Sequence, residues 1–336
     1  MTRFTTVADF DAALADLPAA DAEARAAAAA RQARLTKPAG SLGRLEEIAL
    51  FMAEWQRSER PRIEDGRVLI FAGNHGVAAR GTSAFPPSVT AQMVANFRAG
   101  GAAINALAAV AGLSLTVVPL ALDLPTAYIT HAPAMTQAEC LDALDAGAAA
   151  VTAGLDLLVP GDMGIGNTTP AAALCAASFG GTARDWVGPG TGVTGAALAA
   201  KVAAVDAALA HHAAATTPFE RLRRLGGREI AAIAGAILAA RHARVPVLLD
   251  GFIVGAALAP LAVAQPAIVA HCLAGHVSAE PGHARLLARL GLAPLLALDM
   301  RLGEASGAAV AATVVRAALT AHDGMVTFDQ AGVSEA

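Results

Sequence analysis

The sequence predicts an α/β fold: a Rossmann-like, mostly parallel sheet flanked by helices, with a smaller helical domain built from both chain ends. Two patterns carry this prediction. After Pro61, short apolar runs that end in glycine or a polar residue alternate with helical stretches, the rhythm of parallel βαβ units. At both ends of the chain the apolar residues recur instead at helical spacing. The expected division is a small helical domain from residues 1–62, an α/β domain for nucleotide binding and catalysis from 63–303, and the rest of the small domain from 304–336.

The first 58 residues read as helices. Pro18 is expected to open one, since proline is tolerated in a first turn. Ala19–Ala33 continues it with the residue of highest helix propensity. Leu45, Ile48, Met52 and Trp55 then define one apolar helix face. Between these helices, residues 35–43 form a turn-rich linker with Lys37 expected as an exposed cation. The strands are expected at Arg67–Ala72, Leu115–Leu122, Asp156–Val159, Val245–Leu249, Ala267–His271 and Pro294–Leu298. They need not alternate polar with apolar, because helices bury both faces of a parallel sheet. Ala308–His322 is a further apolar helix.

Composition narrows the function. The 336 residues are 55% hydrophobic and 15% charged, which secures a large core and excludes wholesale disorder. The net charge of −4 comes without a basic run, and aromatics make up only 4%, so nucleic acid is not an expected partner. Mean hydropathy is positive at +0.52. The best membrane candidate, residues 251–270, is broken by Pro260, Gln265 and Pro266 and reads better as a buried helix followed by a strand. The N-terminus shows no basic segment followed by an apolar stretch, so no secretory signal is expected. Cys140, Cys175 and Cys272 lie far apart, which suits buried thiols in a reducing compartment; the cytoplasm is the expected location. No His/Cys spacing suggests a metal site, and no cofactor is expected.

Three glycine-rich segments, each expected to begin where a strand ends, read together as one mononucleotide site. They are Gly161–Pro170, Val187–Gly192 and Arg301–Gly307. The first two offer backbone N–H groups to an anion through Asp162, Gly164, Gly166, Asn167 and Thr168, and through Gly188, Gly190, Thr191 and Gly192. Thr169 is the expected N-cap of the next helix, with Pro170 at its first position. The first segment lacks the third glycine of a dinucleotide fingerprint, so binding of NAD has little support. Lys201, nine residues beyond Gly192, could extend its amine to solvent or point it at a phosphate; the spacing leaves both open. Glu304 precedes an Ala-rich helix, where an acid is favourable for stability alone, yet a lone carboxylate beside a phosphate site also suits acid/base work. Asp250 ends a strand and could bind a ribose hydroxyl or cap a helix. His75, His276 and His283 show no spacing that makes them a triad or metal ligands.

Six segments in this order resemble one family: Leu35-Thr-Lys-Pro-Ala-Gly-Ser-Leu-Gly-Arg-Leu-Glu46, Phe71-Ala-Gly-Asn-His-Gly-Val77, Asp162-Met-Gly-Ile-Gly-Asn-Thr-Thr169, Pro246-Val-Leu-Leu-Asp-Gly-Phe252, Ser278-Ala-Glu-Pro-Gly-His283 and Arg301-Leu-Gly-Glu-Ala-Ser-Gly307. The family is that of nicotinate-nucleotide:dimethylbenzimidazole phosphoribosyltransferases of cobalamin biosynthesis, and the resemblance runs from about Leu35 to Ser334. It implies a homodimeric enzyme that converts nicotinate mononucleotide and 5,6-dimethylbenzimidazole to α-ribazole 5′-phosphate and nicotinate. It places the general base on Glu304, a phosphate-contacting lysine on Lys201 and the serine of the Ser-Ala-Glu segment on Ser278. Asp162 stands where the family usually has glutamate. The base pocket should lie near Phe85 and Met93. Two other readings compete: a nucleotide-binding regulator of the same fold without turnover, and an NAD-dependent oxidoreductase.

Overall fold

A computed structural model describes residues 2–190 and 192–334. The N-terminal helices are α1 (Val7–Ala15), α2 (Ala22–Arg34) and α3 (Arg44–Gln56). The sheet then begins with β1 (Gly66–Ala72), followed by α4 (Ser88–Ala99), α5 (Ala103–Val110), β2 (Ser114–Pro119), α6 (Gln137–Ala150) and β3 (Leu157–Met163). Next come α7 (Thr168–Phe179), α8 (Ala183–Trp186), α9 (Gly195–His211), α10 (Pro218–Leu225) and α11 (Arg228–Ala243). The chain continues through β4 (Val247–Leu249), α12 (Phe252–Ala264), β5 (Cys272–Val277), α13 (Pro281–Leu290) and β6 (Pro294–Ala297). It ends in α14 (Ser306–Gly324) and the short α15 (Phe328–Ala331).

The six strands form one parallel sheet in the order β2-β1-β3-β4-β5-β6. The expected α/β architecture is therefore present. In β1 the run Val68–Ala72 is unbroken, apolar and wholly buried because helices cover both faces. One face carries α3, α4, α5 and α14 over Ile48, Met52, Ile70 and Val315. The other carries α6, α7, α11 and α12 over Leu69, Leu144, Leu174 and Ile233. Chain order runs from β1 outward to β2 and then back across β1 to β3. That reversal opens a crevice at the carboxyl ends of β1 and β3, where open parallel sheets bind ligands.

Both chain ends are fastened together. Leu35 pairs with Thr327 in an antiparallel bridge, and the Arg31 guanidinium donates to the carbonyls of His322, Asp323 and Met325. Helix α14 also lies on the sheet, where Ala308 sits against Gly275 of β5; a Cβ on Gly275 would come within 2.9 Å of the Ala308 Cα.

Several local expectations need correction. Residues 267–271 are not a strand. Pro266, which has no N–H to give a ladder, opens a 3₁₀ turn over Pro266–His271, and the strand is the following Cys272–Val277. Pro18 opens no helix; Asp21 does, its side chain accepting from the Ala24 N–H. Lys37 is not an exposed cation. Its side chain is 6% exposed and meets Glu46 at 2.8 Å. The stretch apolar enough by length and composition to cross a membrane is Ser88–Val110, not residues 251–270, and it is broken between α4 and α5 where Gly100 turns left-handed. Helix α12 is a buried core helix, as its composition suggested.

Helices α6 and α11 cross unusually closely. A Cβ on Gly147 would come within 1.8 Å of the Ala232 carbonyl oxygen, and one on Gly235 within 2.0 Å of the Leu144 carbonyl oxygen. Both neighbours are backbone and cannot swing aside. Gly235→Ala should therefore lower stability by about 1–3 kcal/mol through overpacking. Chemical denaturation of parent and variant checks it, and equal midpoints would contradict this helix contact.

Candidate active site

The carboxyl ends of the strands gather the polar side chains that the sequence singled out. Two adjoining clefts share Asn167 and Thr168. One is lined by Asp162, Gly190, Gly251, Phe252, Ile253, His276, Ser278, Glu280, Arg301, Leu302 and Gly303, the other by Thr82, Ser83, Gly164, Gly166, Pro189 and Lys201. A larger hollow opens at the opposite, amino ends of β3 and β4, bounded by residues such as Leu155, Asp156 and Val245, and holds none of the predicted site residues.

The glycine segments reach the site in different ways. Gly161 and Asp162 do not follow β3 but belong to it, so the Asp162 carboxyl projects from the strand itself. Helix α7 begins two residues earlier than expected: Asn167, not Thr169, is the cap residue, and Pro170 is its third residue. The Asn167 side-chain amide donates instead to Asp162 Oδ2 at 2.8 Å. Gly188–Gly192 follows a helix, α8, rather than a strand. Gly188 and Gly190 both lie against Lys201, whereas Gly192 faces open space and lines neither cleft. Thr191 falls outside the described residues.

Lys201 does not extend its amine to solvent. It is 1% exposed, and its ammonium donates to the Gly188 carbonyl at 2.8 Å. Burial pulls its pKa down to about 8, against the opposing charge of Glu280. Glu280, just ahead of α13, is buried; burial raises its pKa, while the Lys201 charge, the Gly190 N–H and the Arg301 charge restrain the rise. Sequence reasoning passed over Glu280, although its place in Ser278-Ala-Glu280 was a usable signal. Ser278 lines the cleft, and its N–H donates to His283 Nδ1 at 2.9 Å. That ring nitrogen must keep its lone pair to accept, in keeping with a His283 pKa driven down to about 4, mainly by burial.

The acidic side of the site is built by a strained loop. Glu304 and Ala305 both take left-handed backbone angles, with φ of 61° and 62°. For two non-glycine residues this costs of order 1–3 kcal/mol each. The turn is closed by Ser306, whose hydroxyl and N–H both donate to the Gly303 carbonyl. It can sit directly on β3 because residue 161 is glycine: a Cβ there would come within 2.7 Å of the Ala305 nitrogen. Asp250 does cap a helix. Its Oδ1 accepts from the Ala308 N–H of α14 at 2.9 Å and lies 3.3 Å from His276 Nε2. Glu304 is 6% exposed, and no donor among the described residues holds its carboxyl. Burial and then the Asp250 charge raise its pKa to about 7. Asp162 goes further, to about 8, through burial first and then Asp250, with Glu229 and Glu304 adding to the rise.

His75 was not absorbed by any expected constellation, yet it meets Glu229 at 2.5 Å with both side chains wholly buried. A separation of 154 residues hides such a pair from any spacing argument. Phe85 is exposed on the loop before α4, and neither it nor Met93 lines the two clefts. Among the described residues no group of three or more His, Cys, Asp or Glu side chains is arranged to hold a metal ion.

Comparison with known proteins agrees with this geometry. The sequence profile of a phosphoribosyltransferase family matches residues 17–333. The nicotinate-nucleotide–dimethylbenzimidazole phosphoribosyltransferase of Novosphingobium aromaticivorans is 66% identical over 336 residues, covering 100% of this chain and 99% of its own. The chain belongs to that enzyme family. The enzyme of the same name from Cereibacter sphaeroides is 56% identical over 333 residues, covering 99% of this chain and 98% of its own. The crystal structure of CobT from Thermus thermophilus superposes with a TM-score of 0.88 at 43% identity, covering 94% of this chain and all of that one. The fold and the enzyme class expected from the resemblance are thus confirmed, and neither the regulator nor the oxidoreductase reading finds support.

The raised acid pKa values have a consequence for stability. An acid whose pKa is higher folded than unfolded binds its proton more tightly in the native state. Its contribution is full below the unfolded value near 4 and is lost as pH rises toward about 8 for Asp162. Asp162→Asn removes that loss, so its melting temperature relative to the parent should rise steadily between pH 5 and pH 9. A constant difference across that range would show that Asp162 titrates as a solvated acid.

Proposed function

We propose that this chain moves the 5-phosphoribosyl group of nicotinate mononucleotide to 5,6-dimethylbenzimidazole, giving α-ribazole 5′-phosphate and nicotinate, with Glu304 as general base. The observation that carries the assignment is Glu304 itself: a buried carboxyl with no hydrogen-bond partner among the described residues, its pKa raised to about 7, held by a strained turn next to Arg301–Gly303, which line the cleft. A base works best when its pKa lies near the working pH.

A ring nitrogen of the incoming base attacks C1′ with its lone pair. The bond from C1′ to the pyridinium nitrogen breaks on the opposite face, and the electron pair leaves with nicotinate, whose ring nitrogen becomes neutral and needs no proton. The other ring N–H of the new imidazolium turns acidic, and Glu304 accepts that proton. Attack opposite the leaving group inverts C1′ from β to α. Phe252, Ile253 and the exposed Leu302 give the cleft an apolar wall suited to a flat aromatic base. Lys201, Gly188, Gly190, Thr191, Thr168 and Ser278 would hold the phosphate end, with Gly164, Gly166 and Asn167 shaping the loop between. Such remote binding can orient the reacting centre.

The remaining parts of the reading are proposals of the same kind. The chain pairs as a homodimer and works in the cytoplasm, in keeping with three buried free cysteines. The division at residues 62 and 303 draws support from the fastening of Arg31 and Leu35 to the C-terminal segment.

Lys201→Ala should raise KM for nicotinate mononucleotide at least tenfold while kcat changes far less, because uniform binding is what such a contact supplies. An unchanged KM would remove Lys201 from the phosphate site. Glu304→Gln keeps volume and an acceptor but takes no proton at neutral pH. Its kcat should fall by roughly 10²–10⁴, with mononucleotide affinity near that of the parent. A folded variant with parental kcat would sink the mechanism.

A further inference from the structure

The best-formed buried polar pair in the molecule has no part in the mechanism above. His75 follows β1, and Glu229 lies in the first turn of α11; His75 Nε2 and Glu229 Oε1 are 2.5 Å apart. Three glycines make room for them. A Cβ on Gly73 would come within 2.6 Å of Glu229 Oε2, one on Gly227 within 2.2 Å of His75 Cε1, and one on Gly164 within 2.8 Å of Glu229 Oε1. Gly164 directly follows β3 and starts the turn to Asn167, whose side chain holds Asp162. The pair is thus wedged between the ends of β1, β3 and α11, under the loop that follows Asp162 and whose Asn167 bonds it.

The donors fix how the pair is charged. Among the described residues, His75 Nδ1 is buried without a partner, as is Glu229 Oε2. A proton on Nδ1 would be a buried donor with no acceptor, so the ring proton sits on Nε2 and donates to the carboxylate. The pair then places a fixed negative charge behind Asp162, eased by the amino end of α11.

We propose that His75 and Glu229 are positioning residues: the pair holds the Gly164–Asn167 loop in place and keeps a negative charge behind Asp162, so that Asp162 faces the cleft as a protonated hydrogen-bond donor. The inference rests on the reading of this cleft as the reaction site. Other charged groups facing Asp162 are Asp250 beyond β4 and Glu304 before α14; Asn167 supplies its one hydrogen bond. All three acids push the same way, and Asp162 Oδ1 is free to donate because it has no partner among the described residues.

The test is the pH profile of kcat at saturating nicotinate mononucleotide, where a charge lost from Lys201 would show in KM instead. The parent should lose turnover with an alkaline limb as Asp162 deprotonates. Glu229→Gln keeps the shape of the pair but removes its charge, and the limb should move to lower pH by at least half a unit. A folded Glu229→Gln enzyme with the limb unmoved would overturn the proposal. His75→Ala and His75→Gln decide independently if Glu229→Gln fails to fold. Loss of the donor should cut kcat at least tenfold, and the glutamine, whose amide can donate to the same oxygen, should recover most of it. A merely structural pair would lower the melting temperature of His75→Ala and leave kcat of the folded enzyme intact. Failure of the general-base reading would show separately, in the turnover of Glu304→Gln.

Discussion

Four carboxyl groups, those of Asp162, Glu229, Asp250 and Glu304, are buried together at the carboxyl end of one parallel sheet. Taking such groups out of water is expensive unless each is paired, hydrogen-bonded or protonated. The surrounding structure supplies a different remedy for each. Asp250 receives an N–H from the amino end of α14, and Glu229 receives His75 together with the amino end of α11. Asp162 has a single amide donor from Asn167, and Glu304 has none among the described residues. Burial leads for both, and Asp162 exceeds Glu304 because it feels Asp250, Glu229 and Glu304 where Glu304 feels Asp250.

The same crowding explains features that look incidental in isolation. Gly161 stands in the middle of a buried strand, where glycine is otherwise unfavourable, because the Glu304–Ala305 turn rests on it. The left-handed angles of Glu304 and Ala305 persist because Ser306 and the start of α14 over-determine the turn. Strain, glycine and helix cap thus serve one end: a buried carboxyl held beside the cleft-lining Arg301–Gly303, without a donor among the described residues.

Much of this was legible in the chain. The alternation after Pro61 gave the parallel sheet, and the glycine-rich segments gave most of the site, because glycine at a close approach leaves a mark that burial alone does not. Pro266 defeated the strand expected at 267–271: its apolar neighbours fit a strand equally well, and only the missing N–H distinguishes a turn. Lys37 looked exposed because a turn-rich linker usually is, and nothing local showed that Glu46 would cover it. The His75–Glu229 pair lay beyond any reading by spacing, since its members come from the end of a strand and the start of a distant helix. A signal did exist in the glycines at 73, 164 and 227, but what they make room for appears only in three dimensions.

The cleft is divided electrostatically, with acids at the ends of β3 and β4 and the cations Lys201 and Arg301 on its other walls. On the proposed reading the mononucleotide matches this division: its pyridinium is cationic and its phosphate anionic. As the bond to nicotinate breaks, positive charge passes from the pyridinium ring toward C1′ and then onto the incoming base. Fixed negative charge that is already in place stabilises that transfer without reorganising. If every acid were ionised, however, mutual repulsion would oppose folding and Asp162 could only accept a hydrogen bond. Keeping Asp162 protonated while Asp250 and Glu229 are held by donors leaves Glu304 as the acid whose pKa, near neutrality, suits it to take the proton. On the proposed reading, one environment thereby separates similar carboxyl groups into a donor, hydrogen-bonded acceptors and a base.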